Sequence, residues 1–298
     1  MFFKTRTPLD IKNSQNFITN SSLIRQLIKL SNLNATDSVI EIGAGRGSIT
    51  KELAKLCKKV IAIELDARLA QSLKAAFKAS NVEIIQQNFL TFKLPQAGFK
   101  VFSNIPFNIT TQILTRLLFE SPAEDIYLVL QHEAFLKYAG APFYAECLKS
   151  LLIKPFYECA LLHEFKVADF SPAPNVRAVF AHFHKRAGME QDLNRAKWQD
   201  FIAHIFTQSG KTFKQKTRAL FSYKQQKLLA RQMQTELSAL LSSLTYANFQ
   251  AMFEFFCSSR VSAEKQNKIT GAYACMQNAQ SKLTKIHRNR NGKAKPSF

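Results

Sequence analysis

The chain has 298 residues, and 41 Lys and Arg against 21 Asp and Glu give it a formal net charge of +20. No stretch approaches the ~18 consecutive apolar residues of a membrane span, and the start, MFFKTRTPLDIKNS, lacks the apolar run of a signal peptide. Five scattered cysteines without a CxxC pair predict neither a disulfide framework nor a metal site. We expect a cytoplasmic monomer that needs no metal.

Short apolar runs alternate with helical stretches between residues 38 and 133. The predicted strands are 38–43, 59–64, 81–86, 100–105 and 125–131. The predicted helices between them are 48–57, 66–80 and 109–120. Because the strands are β-branched and apolar on both faces, this order predicts an α/β domain with a doubly wound, mostly parallel sheet.

The second half of the chain changes character. Runs 160–168 and 176–185, joined by DFSPAPN, predict an antiparallel pair at one edge of the sheet. After Lys185 the sequence predicts helices. Their expected core-facing residues are Trp198, Phe201, Ile202, Ile205, Phe206, Leu228, Leu229, Met233, Leu237, Leu240, Phe249, Met252, Phe253 and Phe256. We expect a Rossmann-like domain over 1–187, a smaller all-helical domain over 188–257 and a basic, flexible tail over 258–298.

The positive charge is concentrated toward the C-terminus. Residues 1–184 carry a net +6, residues 185–256 another +6, and residues 257–298 carry +8. Such an excess favours a polyphosphate partner over an anionic membrane, because no amphipathic basic helix offers an apolar anchor. Candidate phosphate contacts are Lys211, Lys214, Lys216 and Arg218, with Lys282, Lys285, Arg288 and Arg290 as helpers. A solvated helix face is the alternative for any single lysine.

A glycine-rich turn, EIGAGRG, follows the first strand of this α/β pattern and opens a helix. Gly43, Gly45 and Gly47 permit a tight turn and a close approach of the backbone to a ligand. Glu64 ends the next strand 21 residues after Gly43, where a carboxylate accepts both hydroxyls of a ribose. The alternative is a solvated carboxylate at a strand end, and the preceding glycines favour the ribose contact. Asn88, after the third strand, either meets the adenine of the same nucleoside or only forms a turn.

The segment Asn104-Ile105-Pro106-Phe107 ends the fourth strand, at the edge where open α/β sheets hold ligands. An exocyclic adenine amine is a poor nucleophile because its lone pair is delocalised into the ring. Hydrogen bonds that this amine donates to the Asn104 side chain and to a carbonyl near Ile105 favour a pyramidal nitrogen, which is the form that attacks a methyl group. Pro106 orients that carbonyl, and Phe107 stacks on a base that has left the RNA stack. Positioning and electrostatics supply the catalysis.

Six motifs occur in the order found in one family: KNSQNFITN, EIGAGRGSIT, AIELD, NFLTF, SNIPFNIT and FSPAPNV. The chain resembles the rRNA adenine N6-dimethyltransferases over about residues 10–256. SQNF and NIPF look more like the Erm branch, which methylates 23S rRNA and confers macrolide, lincosamide and streptogramin resistance, than like the KsgA branch, which acts on 16S rRNA. The resemblance implies a class I methyltransferase domain and S-adenosylmethionine as cofactor.

The resemblance also implies roles for individual residues. Those implied to bind the methyl donor are Asn16, Ile18, Gly43, Gly45, Glu64, Leu65, Asn88, Phe89 and Asn104. Those implied to act at the target adenine are Asn104, Ile105, Pro106, Phe107 and Phe170. For Phe170, the implied role is a second aromatic wall for the flipped base, and the alternative is a loop anchor packed on the sheet.

The sequence departs from the family pattern at three motif positions, and its tail beyond about residue 257 has no counterpart in the shorter members. Asn88 stands where members usually have Asp, which removes a charge but keeps an acceptor oxygen. Phe107 replaces the more common Tyr and keeps the stacking face. Arg177-Ala178 stands where a serine is usual, which changes local RNA contacts.

Three other functions compete with 23S rRNA methylation. One is a 16S rRNA dimethyltransferase of ribosome assembly, and another is a non-catalytic nucleic-acid-binding protein on the same fold, like the mitochondrial transcription factors. The third is a DNA N6-adenine methyltransferase, which more often has an Asp-Pro-Pro-Tyr motif. The intact NIPF and donor motifs favour an enzyme that acts on rRNA.

Overall fold

The computed structural model describes residues 16–96, 98–187 and 194–282. The chain divides into two compact units, Met1–Glu190 and Gln191–Phe298. No helix among the described residues is long and apolar enough to cross a membrane.

A seven-stranded mixed sheet organises the first unit. Its strands are β2 (Ser38–Ile42), β3 (Lys59–Glu64), β4 (Val82–Gln86), β5 (Lys100–Asn104), β6 (Asp125–Gln131), β7 (Tyr157–Glu164) and β9 (Ala178–Lys185). Their spatial order is β4-β3-β2-β5-β6-β9-β7, with β2 to β6 parallel. The predicted doubly wound, mostly parallel sheet is confirmed, and every predicted strand is present.

The order of the strands reverses direction between β2 and β5. From β2 the chain proceeds outward through β3 and β4, then returns to place β5 on the other side of β2. Ligands of open α/β sheets bind at such a reversal, outside the carboxyl ends of the strands. The segments that follow β2 and β5 are therefore the ones positioned to meet a ligand.

The antiparallel pair lies at the predicted edge of the sheet. β9 runs antiparallel to both β6 and β7 and lies between them. A further pair of two-residue strands, β1 (Phe17–Ile18) and β8 (Phe170–Ser171), is also antiparallel and forms a small separate sheet. This second pair was not predicted, because two residues show no periodicity.

The helices of the first unit flank the sheet. They are α1 (Ser21–Lys29), α2 (Ser48–Leu56), α3 (Ala67–Ala76), α4 (Thr110–Phe119), α5 (His132–Ala139) and α6 (Leu148–Ile153). Side chains cap the starts of α1 and α3: Asn20 accepts hydrogen bonds from Ser22 N and Leu23 N, and Asp66 accepts from Arg68 N and Leu69 N. α3 ends four residues before its predicted end.

The second unit is helical, as predicted. Its helices are α7 (Arg195–Thr207), α8 (Phe213–Thr217), α9 (Tyr223–Gln232), α10 (Tyr246–Cys257), α11 (Ala263–Asn267) and α12 (Ala272–Lys282). Trp198 and Phe201 on α7 pack edge-on against Phe253 on α10, with ring centroids 5.1 and 5.3 Å apart. Thr245 forms a capping box with Asn248 at the start of α10.

The predicted apolar stripe around residue 230 is partly wrong. Leu229 and Met233 are buried, but Leu228 and Leu240 are about half exposed. α9 ends at Gln232, and Gln234 adopts a left-handed φ of 52°, so the chain turns before the stripe is complete.

The expected flexible tail is wrong for residues 258–282. α12 packs against α7, and Val261, Ile269 and Met276 are buried. The Asp200 carboxylate of α7 accepts hydrogen bonds from Gly271 N and Tyr273 N at 2.9 Å, which satisfies free N–H groups at the start of α12. The rest of the predicted tail, with Lys285, Arg288 and Arg290, lies outside the described residues.

Candidate active site

Two loops meet at the reversal point of the sheet. The glycine turn follows β2, and the Asn104–Phe107 segment begins at the last residue of β5. A Cβ atom placed on Gly43 would lie 3.6 Å from Pro106 Cδ, which is ordinary van der Waals contact. The two most specific motifs of the sequence are therefore neighbours at the carboxyl edge.

The glycine turn requires its glycines. Gly43, Gly45 and Gly47 have φ values of 74°, 58° and 79°, a left-handed region that costs other residues energy. At Gly45 a Cβ atom would also lie 2.5 Å from Cε1 of Phe17, so the aromatic ring covers the turn directly. The Arg46 guanidinium lies over the Phe17 ring, 5.4 Å from its centroid.

Glu64 is held in place by backbone donors. Its Oε2 accepts a hydrogen bond from Gly45 N and its Oε1 accepts one from Asp66 N, both at 2.8 Å. The residue is only 3 % exposed, whereas the adjacent Leu65 is about half exposed. Each carboxylate oxygen has more than one acceptor position, so the bonds to the glycine turn leave capacity for a ligand hydroxyl.

Glu41 is a second acid under the glycine turn that the sequence argument missed. It is 2 % exposed and accepts a hydrogen bond from Thr50 Oγ1 at 2.6 Å. Burial raises the pKa of Glu41 to about 8, and the nearby Glu64 charge adds to the shift. The signal was an acid inside an otherwise apolar strand, in the sequence VIEIG.

Asn88 caps a short turn after β4. Its Oδ1 accepts a hydrogen bond from Leu90 N at 2.9 Å at the start of the 3-10 turn Phe89–Thr91. Arg116 on α4 donates to the carbonyls of Phe89 and Phe92 and lies over the Phe89 ring. The turn-forming role of Asn88 is thus present, and its contact with the donor stays a prediction.

Asn104 is oriented by the residue that precedes β1. Its Nδ2 donates to the Asn16 carbonyl at 2.6 Å. This bond places Asn16 beside Asn104, although 88 residues separate them in the sequence. Among the described residues none donates to Asn104 Oδ1.

The backbone around Asn104 is fixed by three further contacts. Ser103 Oγ donates to Ile42 O at 2.6 Å and accepts from Ile42 N at 3.1 Å, which ties β5 to the end of β2. Ile105 N donates to Val129 O at 3.2 Å. Pro106, with φ −62°, starts the 3-10 turn that contains Phe107. The position of the segment is therefore set by contacts within the protein.

Phe107 and Phe170 belong to one apolar cluster. Phe107 is partly buried and packs against the cluster that includes Ile18 and Phe170. Phe170 is 5 % exposed, pairs with Ile18 across β1 and β8, and lies 5.1 Å from the Phe165 ring. Its role as a loop anchor is therefore observed, and its role as a wall for a base stays a prediction.

A cavity of about 270 Å³ opens beside Phe170. It is lined by Phe165, Lys166, Val167, Phe170, Pro174, Asn175, Val176, Arg177 and Ala178. Arg177, at one of the departures from the family pattern, pairs with Glu164 at 3.0 Å and is largely exposed. The cavity thus combines aromatic side chains with two cations.

The four predicted phosphate contacts of the second unit differ from one another. Lys216 is partly buried and donates to the carbonyls of Phe206 and Gln208, where it neutralises the C-terminal end of α7. Lys211, Lys214 and Arg218 are exposed. Lys216 is therefore engaged within the protein, which is a structural role that the charge pattern did not indicate.

An exposed aromatic ring accompanies the lysines. Tyr223 is 51 % exposed, with Lys214 Nζ 5.2 Å and Lys227 Nζ 4.8 Å from its ring centroid. Aromatic faces between cations are typical of surfaces that stack nucleobases and hold phosphates. Neither Tyr223 nor Lys227 belongs to a motif in the sequence.

Comparison with known proteins agrees with this geometry. The sequence profile described as ribosomal RNA adenine dimethylase matches residues 8–257. The chain belongs to this family. An rRNA adenine N-6-methyltransferase of Limosilactobacillus reuteri is 31% identical over 195 residues, which cover 65% of this chain and 78% of that protein. One of Bacteroides fragilis is 28% identical over 245 residues, covering 81% of this chain and 91% of that protein.

A solved structure has the same fold. The crystal structure of the 23S rRNA methyltransferase ErmE superposes with a TM-score of 0.72, covering 82% of this chain and all of that one. The two sequences are 22% identical, so the likeness bears on the fold alone. Together with the family match, it confirms the methyltransferase class of the first unit and the resemblance found in the sequence.

Proposed function

We propose that this family member transfers methyl groups from S-adenosylmethionine to N6 of a single adenine in 23S rRNA, and so confers macrolide, lincosamide and streptogramin resistance. The observation that carries the proposal is the contact between the glycine turn and the Asn104–Phe107 segment at the reversal point. It places a nucleoside-binding turn beside a segment built to accept amine protons.

The residues around the glycine turn fit the methyl donor. Glu64 is a preoriented, buried carboxylate suited to ribose hydroxyls, and the exposed Leu65 beside it offers an apolar surface to a base. The positive φ angles at Gly43 and Gly45 keep the backbone free of side chains where the methionine part would lie. When bound, the donor supplies an electrophilic methyl on its sulfonium.

Asn104 is the residue that prepares the target amine. Because its Nδ2 is held by Asn16 O, its Oδ1 points an acceptor toward an incoming N–H. Acceptance of that bond localises the nitrogen lone pair, and the stacking face of Phe107 holds the adenine plane. These groups require no general base, since the amine loses its proton after the methyl has been transferred.

The cavity beside Phe170 and the lysines around Tyr223 provide the RNA contacts of the two units. Arg177 and Lys166 offer charges to a phosphate, and Phe165 and Phe170 offer apolar surface to a base. In the second unit, Lys214, Lys227 and Tyr223 supply the same chemistry.

The choice of 23S over 16S rRNA rests on the SQNF and NIPF motifs. The test is transfer of labelled methyl from S-adenosylmethionine to naked 23S and 16S rRNA, mapped by primer extension. Label at one 23S adenine in the peptidyl-transferase region is the expected result. Label in adjacent adenines near the 16S 3′ end would assign the protein to ribosome assembly instead.

Two variants test the mechanism. Asn104→Ala is expected to lower methyl transfer by at least about 10²-fold while it retains RNA affinity, because only the approach to the transition state is affected. Glu64→Ala is expected to abolish donor binding. If Asn104→Ala stays within a few-fold of the parent activity, the proposed role of the amide is wrong. RNA binding without any transfer by the parent protein would favour a non-catalytic function.

A further inference from the structure

Three side chains that no motif contains converge at the amino ends of the parallel strands, at the edge of the sheet opposite the glycine turn and Asn104. Asp125 begins β6, and His182 and His184 lie near the end of β9. The register pairs Asp125 with His184 and Tyr127 with His182. Since alternate residues of a strand face the same side, both imidazoles project from the same face as the Asp125 carboxylate.

The three ligand atoms meet at one point. Asp125 Oδ1 lies 2.7 Å from His182 Nε2 and 2.8 Å from His184 Nδ1. The nearest carboxylate and imidazole atoms of the trio all lie within 4.8 Å of one another. Asp125 and His182 are largely buried, whereas the His184 side chain is 47 % exposed and opens the cluster to solvent.

Surrounding groups hold Asp125 and His182 in orientation. Asn32 Nδ2 donates to Asp125 Oδ2 at 2.9 Å, which turns Oδ1 toward the imidazoles. Tyr127 stacks on His182, with ring centroids 4.2 Å apart and an interplanar angle of 12°. Such outer contacts fix the geometry of metal ligands.

The local charge favours a cation. Lys100 Nζ lies 3.1 Å from Asp37 and 3.6 Å from Asp125, and Arg186 pairs with Glu158, the residue opposite His184 on β7. If both imidazoles are neutral, this group of side chains has three negative charges and two positive charges, a net charge of −1. Lys100 lies on the Oδ2 side of Asp125, so the Oδ1 side that faces the imidazoles is left for another positive charge.

We propose that Asp125, His182 and His184 bind a divalent transition-metal ion of the Zn²⁺ class, which joins β9 to β6 at the amino edge of the sheet. Two imidazole nitrogens and one carboxylate oxygen are a donor set that Zn²⁺ accepts in tetrahedral geometry, with water as the fourth ligand. Zn–N and Zn–O bonds of about 2.0–2.2 Å require each N···O separation to open by about half an ångström, a small rotamer adjustment. The site is remote from the donor-binding edge, so the ion strengthens the fold and takes no part in the chemistry.

The test uses the tag-free full chain after chelator treatment. Co²⁺ is titrated as a spectroscopic probe, because its visible d–d bands report tetrahedral nitrogen and oxygen coordination, and Zn²⁺ is then added to displace it. One equivalent of tetrahedral Co²⁺ is expected, and saturating Zn²⁺ is expected to raise Tm by about 5 °C. His184→Ala, at the most exposed ligand, is expected to weaken Co²⁺ binding at least about 10-fold and to remove the Tm shift.

A matched control is His163→Ala, a partly exposed histidine on β7 outside the cluster. It is expected to leave Co²⁺ binding and the Zn²⁺ shift unchanged. Asn32→Ala is expected to weaken Co²⁺ binding about 10-fold, because Asp125 loses its orienting bond. Equal Co²⁺ spectra in the parent and His184→Ala proteins, or no tetrahedral band in the parent, would overturn the proposal and leave the trio as a hydrogen-bonded clamp.

Discussion

Replacement of Glu41 by Gln is expected to make the protein more stable than the parent at alkaline pH. Glu41 is 2 % exposed, and burial raises the pKa of its carboxyl from 4.5 to about 8 in the folded protein. Gln has the same shape and hydrogen-bonds to Thr50 without a charge. The substitution therefore removes only the cost of ionising a buried acid.

The sign and size of the effect follow from the two pKa values. Because the folded pKa is raised, the folded state binds the extra proton between about pH 4.5 and 8, and stability falls as pH rises through that window. The difference between a pKa of 4.5 and one of about 8 corresponds to a ceiling of about 5 kcal/mol on the free energy of unfolding. Relaxation around the ionised group lowers the amount that is measured.

The assay is urea unfolding of the parent and Glu41→Gln proteins, without methyl donor, at several pH values from about 5 to 8.5. The two free energies of unfolding are expected to be similar at about pH 5 and to diverge by several kcal/mol at about pH 8, with Gln the more stable. Glu83→Gln, at a half-exposed acid paired with Lys59, controls for the loss of a surface charge. The expectation would be refuted if Glu41→Gln were less stable than the parent protein by the same amount at every pH.

Three further substitutions test other parts of the structure. The Gly45→Ala protein is expected to lose about 1–3 kcal/mol of its free energy of unfolding and most of its affinity for the methyl donor, because the added Cβ meets Phe17. Gly98→Ala is the control for backbone strain alone, because Gly98 has a similar φ of 69° and a Cβ there would meet nothing within 4 Å. Asp200→Ala is expected to speed amide hydrogen exchange across residues 271–282 and to cost about 1 kcal/mol, and unchanged protection would exclude it as the cap of α12. Lys214→Ala is expected to reduce the salt slope of RNA binding by about one relative to the parent protein. Lys216→Ala is expected to lower Tm and to leave that slope unchanged. A Lys214→Ala slope equal to the parent slope would show that Lys214 does not hold a phosphate.

The sheet and its ligand edge were predictable because buried parallel strands leave a strong signal. Five apolar runs alternate with helices, and all five occur as strands within one residue of their predicted bounds. Once the β-α-β order is known, the loops after β2 and β5 must lie at the carboxyl edge. The proximity of Gly43 and Pro106 follows from topology, without any knowledge of side chains.

Contacts between distant segments were not predictable from local pattern. β1 and β8 are two residues each, so the pairing of Ile18 with Phe170 leaves no periodic trace. The ordering of α12 depends on Asp200, 71 residues before Gly271, and composition alone suggested a flexible tail. Tertiary partners outweigh the weak intrinsic preference of such segments.

The same limit explains why charge alone did not separate binding lysines from structural ones. Lys211, Lys214 and Lys216 look alike in sequence, yet Lys216 neutralises the carbonyl end of α7 while Lys214 lies against an exposed tyrosine. At the edge of the sheet that is predicted to bind the methyl donor, Glu64, Asn88 and Asn104 likewise form hydrogen bonds with backbone groups of the protein. Those bonds fix the side chains before a ligand arrives, so the site loses little conformational entropy on binding. The hydrogen bond that each of these side chains makes within the protein thus sets the orientation in which it is predicted to contact a ligand.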